Sequence, residues 1–150
     1  MNRGGRWLIA GGILSLIAAL LHVGCILFGT EWYRFFGVPD PLIASYENGS
    51  MTLVWMTAGI AAILAIWGAY AFSGAGVIGR LPLLRLALIA ITAIYLARGL
   101  FLIPAILKAP YPNSTFDLWS STIVLIYGLT YAIGTWLALP FLGERRPIAR

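Results

Sequence analysis

The sequence predicts an all-α fold, a four-transmembrane-helix antiparallel bundle with both termini cytoplasmic, forming one integral membrane domain over residues 1–150. Three observations predict it. First, 61% of the 150 residues are hydrophobic and only 10% are charged, whereas soluble domains carry roughly 25% charged residues; the mean hydropathy is +0.91. Second, the apolar residues gather in four long stretches, about 7–28, 51–72, 83–107 and 118–142, each long enough to cross a bilayer core of ~30 Å, which takes about 20 residues per helix. Third, the basic residues alternate between the connections in the way that topology demands.

The first stretch runs from Trp7 to Phe28 behind Arg3 and Arg6. A signal peptide has an h-region of about 7 to 15 residues and then a small-residue cleavage site. Here the apolar run is longer and leads into Gly24, Cys25 and Phe28, so it is read as a retained helix. The loop from Gly29 to Ser50 is long for a helical hairpin and carries Glu31-Trp32-Tyr33-Arg34-Phe35-Phe36, then Pro39-Asp40-Pro41 and a short helix ending at Asn48-Gly49. Aromatics interleaved with charges predict a segment lying along the interface, either an anchor over the mouth of the bundle or a ligand lid. Ser50 is the expected N-cap of the second span and Pro82 the first-turn proline of the third; Ser114-Thr115-Phe116-Asp117 reads as a capping box for the fourth.

Orientation follows from the arginines. Arg3, Arg6, Arg80, Arg85, Arg145, Arg146 and Arg150 flank one side, while Arg34 and Lys108 alone lie in the connections on the other. The positive-inside rule then places both termini in the cytoplasm of a bacterial cell, with the chain a multi-pass protein of the inner (cytoplasmic) membrane. Glu31, Asp40, Glu47 and Asp117 fall outside and Glu144 inside. The basic pI of 9.8 is therefore a topogenic bias and no nucleic-acid partner is expected.

Several chemistries are excluded. A single cysteine, Cys25, forbids an intramolecular disulfide and a thiolate zinc site, and a single histidine, His22, forbids two-histidine haem ligation within one chain. No metal site, catalytic residue or particular cofactor is predicted. What remains is polar residues inside the spans. His22 and Arg98 each lie about 22 Å into their spans at 1.5 Å per residue, and both helices run outward. An arginine in hydrocarbon costs from about 2.5 to over 10 kcal/mol, so it should face protein or water. Thr92, Tyr95 and Arg98 form one stripe, Ser15, His22 and Cys25 a second, and Tyr127, Thr130 and Tyr131 a third. His22, Tyr95, Arg98, Tyr127 and Tyr131 are accordingly the candidate ligand-binding residues, lining a polar pocket in the outer half of the bundle. The competing reading is that Arg98 bonds to protein groups and only fixes helix register. Trp7, Trp32, Trp119 and Trp136 lie near span ends as interface anchors. Thr130, Gly134 and Ala138 form a small-residue series that can pack within the bundle or between protomers.

Three function classes fit. The favoured one is an accessory or binding protein that holds a lipid, a quinone or another amphiphile, with a protein partner or a second copy of the chain as further candidate partners. The alternative is a small anion or solute transporter or channel acting as an oligomer; no carboxylate lies within a span, which disfavours proton-coupled export. The third is a membrane enzyme, for which His22 with Tyr95 or Tyr127 is the only acid/base set in sight.

Trp32, Tyr33, Phe35, Phe36 and Gly37 after the first span, and Ala97-Arg98-Gly99-Leu100 late in the third, give the chain a layout that resembles small bacterial inner-membrane proteins of the DoxX-like kind. The resemblance covers most of the chain. It implies four spans and an accessory role, in some members beside respiratory or redox complexes, and it supplies no catalytic residues.

Overall fold

The structure, a computed structural model, describes residues 3–100 and 115–142. Among these residues there are six helices and no strand: α1 (Arg3–Phe28), α2 (Thr30–Phe35), α3 (Asp40–Glu47), α4 (Thr52–Ala75), α5 (Leu84–Gly99) and α6 (Thr115–Leu142). Three of them, Arg3–Phe28, Thr52–Ala75 and Phe116–Leu142, are long and apolar enough to cross a membrane, as in a membrane protein. The described part of α5 spans about 24 Å at 1.5 Å per residue. Its C-cap, Leu100, still has φ −66° and ψ −15°; the remaining residues of the expected third span lie outside the described residues.

Helix ends depart from the sequence reading where caps were inferred from residue type. The second long helix starts after Met51, not Ser50. Ser50 Oγ nevertheless accepts the Thr52 N–H (3.4 Å) and donates to Thr52 Oγ1 (3.0 Å), so it serves the first turn from one residue further out. Pro82 is likewise outside its helix. Leu83 takes the N-cap in the left-handed region (φ 52°), and α5 begins at Leu84. At its other end α4 runs past Phe72 to Ala75 and stops at Gly76 (φ 77°), which takes the left-handed conformation without a Cβ penalty. The Val77 N–H then reaches Phe72 O (2.9 Å) and the Gly76 N–H reaches Ser73 O (3.1 Å), the paired bonds of a Schellman motif. Asp117 stands in the first turn of α6, while the start of the expected capping box lies outside the described residues.

α1 packs along α4 and α6, and α5 packs along α6 and, less extensively, α4. Missing side chains set these contacts. A Cβ on Gly134 would stand 3.0 Å from the backbone N of Leu8, one on Gly4 would stand 2.8 Å from Ala138 N, and one on Gly99 2.7 Å from Leu125 Cα. Of the Thr130, Gly134 and Ala138 series, Gly134 and Ala138 are thus packed within the chain, against α1. Such close backbone approach is how helices gain packing where solvent gives no hydrophobic drive. The outward surface is apolar: Leu20, Leu27, Trp55, Leu86 and Trp136 are all exposed.

These contacts bring Arg3 and Arg6, at the start of α1, to the end of the molecule that holds Arg80 and Arg85. Glu31, Asp40, Glu47 and Asp117 stand at the opposite end. There the segment after α1 folds back over the helix ends. Trp32 stacks on Phe28 (centroids 4.6 Å apart) and lies where Gly24 has no side chain, while Tyr33 and Ile43 are buried with Cys25 and Leu53. Arg34 and Glu47 tie α2 to α3 across an exposed 3.4 Å ion pair, worth at most about 1 kcal/mol in water.

Candidate functional site

Ser15 lies halfway along α1, fully buried, and its hydroxyl meets two tyrosines: Tyr95 Oη at 2.9 Å and Tyr131 Oη at 2.8 Å. Tyr131 also donates to the Trp67 carbonyl at 3.2 Å. Each hydroxyl has one proton to give. Since the Tyr131 proton goes to Trp67 O, Ser15 must donate to Tyr131, and Tyr95 must donate to Ser15. The result is a one-way relay from α5 through α1 and α6 to the backbone of α4, with every hydroxyl donating once. Around it the rings close: Trp67 meets Tyr95 edge-on at 4.9 Å, and Tyr95 faces Tyr127 at 5.7 Å and Tyr131 at 5.3 Å. Thr92 Oγ1 donates to Leu88 O (2.7 Å) and lies 3.4 Å from Thr135 Oγ1, which adds a weaker link between α5 and α6 nearer the arginine-rich end.

The five residues singled out from the sequence therefore divide. Tyr95, Tyr127 and Tyr131 come together at mid-depth. Arg98, one turn beyond Tyr95, extends along the flank of α5 to α6, where one guanidinium nitrogen donates to Ser121 Oγ (3.0 Å) and the other to Ser120 Oγ (3.3 Å). Its side chain is exposed, whereas Ser121 is buried. His22 is half-buried on α1, with Nδ1 2.8 Å from Ala18 O of its own helix. α1 and α5 meet across the middle through the Ser15 to Tyr95 bond, two turns below His22.

Three participants were not legible as site residues. Ser120 and Ser121 had a signal, a pair of hydroxyls inside an apolar span at the depth of Arg98. Trp67 had none, because what it contributes to the relay is a backbone carbonyl that every residue possesses. No group of three or more metal-ligating side chains occurs among the described residues.

Two concavities flank this core without entering it. One, of about 400 Å³, is an apolar groove between α1 and α4 lined by Leu16, Leu20, Val23, Ala58 and Ala62 among others. The second, of about 510 Å³, lies at the arginine-rich end between the start of α5 and Leu142. No family model matches the chain, and comparison with curated proteins and with solved structures gives no match.

Proposed function

We propose that this chain is a four-span accessory or binding protein of a bacterial inner membrane, with cytoplasmic termini, and that it holds an amphiphile by its head group at Arg98. The observation that carries the reading is the placement of Arg98: an exposed guanidinium on the α5–α6 flank of an apolar helix pair, oriented by the hydroxyls of Ser120 and Ser121. A cation at that depth is costly in hydrocarbon, and its exposed edge is what an anionic or carbonyl-bearing head would meet, with the tail lying along the apolar helix faces. Lateral entry from the bilayer is favoured, since the acidic residues of the outer end repel free anions. The tyrosine relay lies beneath it and ties α5 and α6 to α1 through Ser15. The gathering of Arg3, Arg6, Arg80 and Arg85 at one end and of four acids at the other supports the orientation. The accessory role is shared, by layout, with DoxX-like proteins.

Native mass spectrometry from mild detergent tests the reading. Wild-type protein should carry a lipid or quinone. Arg98→Leu and Arg98→Lys should fold yet lose it, because removing one charge-assisted hydrogen bond costs roughly 1.5 to 3 kcal/mol, about tenfold or more in affinity, and a lysine does not reproduce the planar fork. A wild-type preparation with no bound amphiphile, or a leucine variant that keeps it, would overturn the proposal and leave Arg98 as a helix clamp.

A further inference from the structure

Four of the six tryptophans face outward, and the packing of the helices gathers them at two levels. Near the arginine-rich end α1 and α6 are registered by Gly134, where a Cβ would stand 3.0 Å from Leu8 N. Trp7 lies one residue from Leu8 and Trp136 two from Gly134, both toward that end, so their exposed rings share one depth. Trp119 lies toward the other end of α6, about 26 Å from Trp136 at 1.5 Å per residue. The register of α4 gives the same spacing. A Cβ on Gly12 or on Gly68 would stand 3.2 Å from the carbonyl oxygen of the other, which places the exposed Trp55 about 27 Å from the level of Trp7. Of the remaining two, Trp32 lies against Gly24 and Trp67 turns inward onto Tyr95. Between the two levels the exposed side chains of the described residues are apolar, Leu20, Ile63, Ile126 and Leu129 among them. Arg98 is the exception, and its guanidinium reaches Ser120 and Ser121, next to Trp119. The helices are longer than this spacing. Even α4, with 24 residues, spans about 36 Å, so helix length and tryptophan level call for different bilayers.

We infer that the outward surface fits a thin bilayer of short-chain phospholipid, with a hydrocarbon core of about 26 Å in place of the ~30 Å of a typical one. The tryptophan levels select this partner. An indole has an apolar body and one N–H to satisfy, so it settles at the boundary between hydrocarbon and head groups, and two such levels mark where the core must end. The helix ends beyond them then stand among head groups, with Arg3 and Arg6 just past Trp7 and Asp117 just past Trp119. A thicker bilayer would either draw one level of indoles into hydrocarbon or have to thin around the protein, and both cost free energy for each ångström of mismatch. The inference rests on the helices crossing a bilayer and is independent of what Arg98 holds.

The test reconstitutes the full chain into vesicles of one monounsaturated phosphatidylcholine at a time: dimyristoleoyl, dipalmitoleoyl, dioleoyl, dieicosenoyl and dierucoyl. Relative lipid affinity is read by competition with a brominated phosphatidylcholine that quenches tryptophan fluorescence. Affinity should peak at dipalmitoleoyl, whose core comes nearest the tryptophan spacing, and fall by roughly threefold toward dierucoyl, whose core approaches the full length of α4. Trp55→Leu combined with Trp119→Leu erases the outer level and leaves Trp7 and Trp136 as reporters. The peak should then move to a longer chain, because apolar surface now continues past the old boundary. A wild-type peak at dioleoyl or any longer lipid, an affinity that does not vary with chain length, or a folded double variant whose peak stays in place would overturn the inference. Should the double variant fail to fold, the wild-type series decides alone. Absence of a bound amphiphile at Arg98 would leave the chain-length peak where it is, so the two readings fail separately.

Discussion

Ser15→Ala removes a single oxygen from the centre of the molecule, and the relay geometry states what should follow. Two hydrogen bonds disappear, at 2.9 Å to Tyr95 and 2.8 Å to Tyr131. The losses are unequal. Tyr131 keeps its donation to Trp67 O at 3.2 Å, whereas Tyr95 loses the acceptor for its proton while 5% exposed. Interhelical bonds inside membranes average about 0.6 kcal/mol and reach about 1.7; two of them, one leaving an orphan donor, amount to about 1 to 3 kcal/mol. The cavity left by one oxygen adds little. The assay is a reversible unfolding titration in mixed micelles followed by tryptophan fluorescence, for which Trp67, 4.9 Å from the Tyr95 ring, is a local reporter. Tyr95→Phe alone should also destabilise, by about 1 kcal/mol. The double variant Ser15→Ala with Tyr95→Phe should be more stable than the sum of the single changes predicts, by about 1 kcal/mol, because it removes the orphaned hydroxyl too. If Ser15→Ala unfolds with the wild type, or the two changes simply add, the relay does not hold α1 to α5 and the reasoning fails.

Gly99→Ala places a Cβ 2.7 Å from Leu125 Cα and 3.0 Å from Leu125 N; backbone cannot yield as a side-chain tip can, so a loss of about 1 to 3 kcal/mol is expected in the same titration. Tyr33→Phe should do the opposite: the hydroxyl is buried with no hydrogen-bond partner among the described residues, and deleting it should leave stability unchanged or raise it by up to about 1 to 3 kcal/mol. A clear loss there would show that the hydroxyl is bonded. Topology is checked with impermeant maleimide on a Cys25→Ser background. Asn48→Cys should label from the periplasm and Gly79→Cys only after the membrane is opened; the reverse pattern would invert the orientation.

Hydropathy and charge, both readable residue by residue, determined a good deal. The three long helices were located to within a few residues, the segment after the first of them was seen to be aromatic and to end at Asn48-Gly49, and Arg3, Arg6, Arg80 and Arg85 were sorted to the end opposite Glu31, Asp40, Glu47 and Asp117. Arg98 stood out because a charge in an apolar run is conspicuous whatever surrounds it. The tyrosine stripes were visible too, since i, i+3 and i+4 spacing is a property of one helix. What could not be read was which stripe meets which. A relay from Tyr95 to Ser15 to Tyr131 to Trp67 joins residues far apart in the chain, and its last acceptor is a carbonyl that leaves no mark in the sequence.

The same limit governs burial. In a soluble protein the inward face of a helix is the apolar one, but here both faces are apolar, and nothing in residue type separates Leu8, 0% exposed between α4, α5 and α6, from Leu20 of the same helix at 68%. Small residues decide it instead. Gly134 and Gly74 let other helices close onto Leu8, and only once those helices are adjacent is it settled that Gly134 packs within the chain rather than against a second copy. Composition sets that the long helices are apolar on most of their faces; steric fit between particular side chains and missing ones, a property of the folded pair and of neither helix alone, sets which of those faces becomes the core.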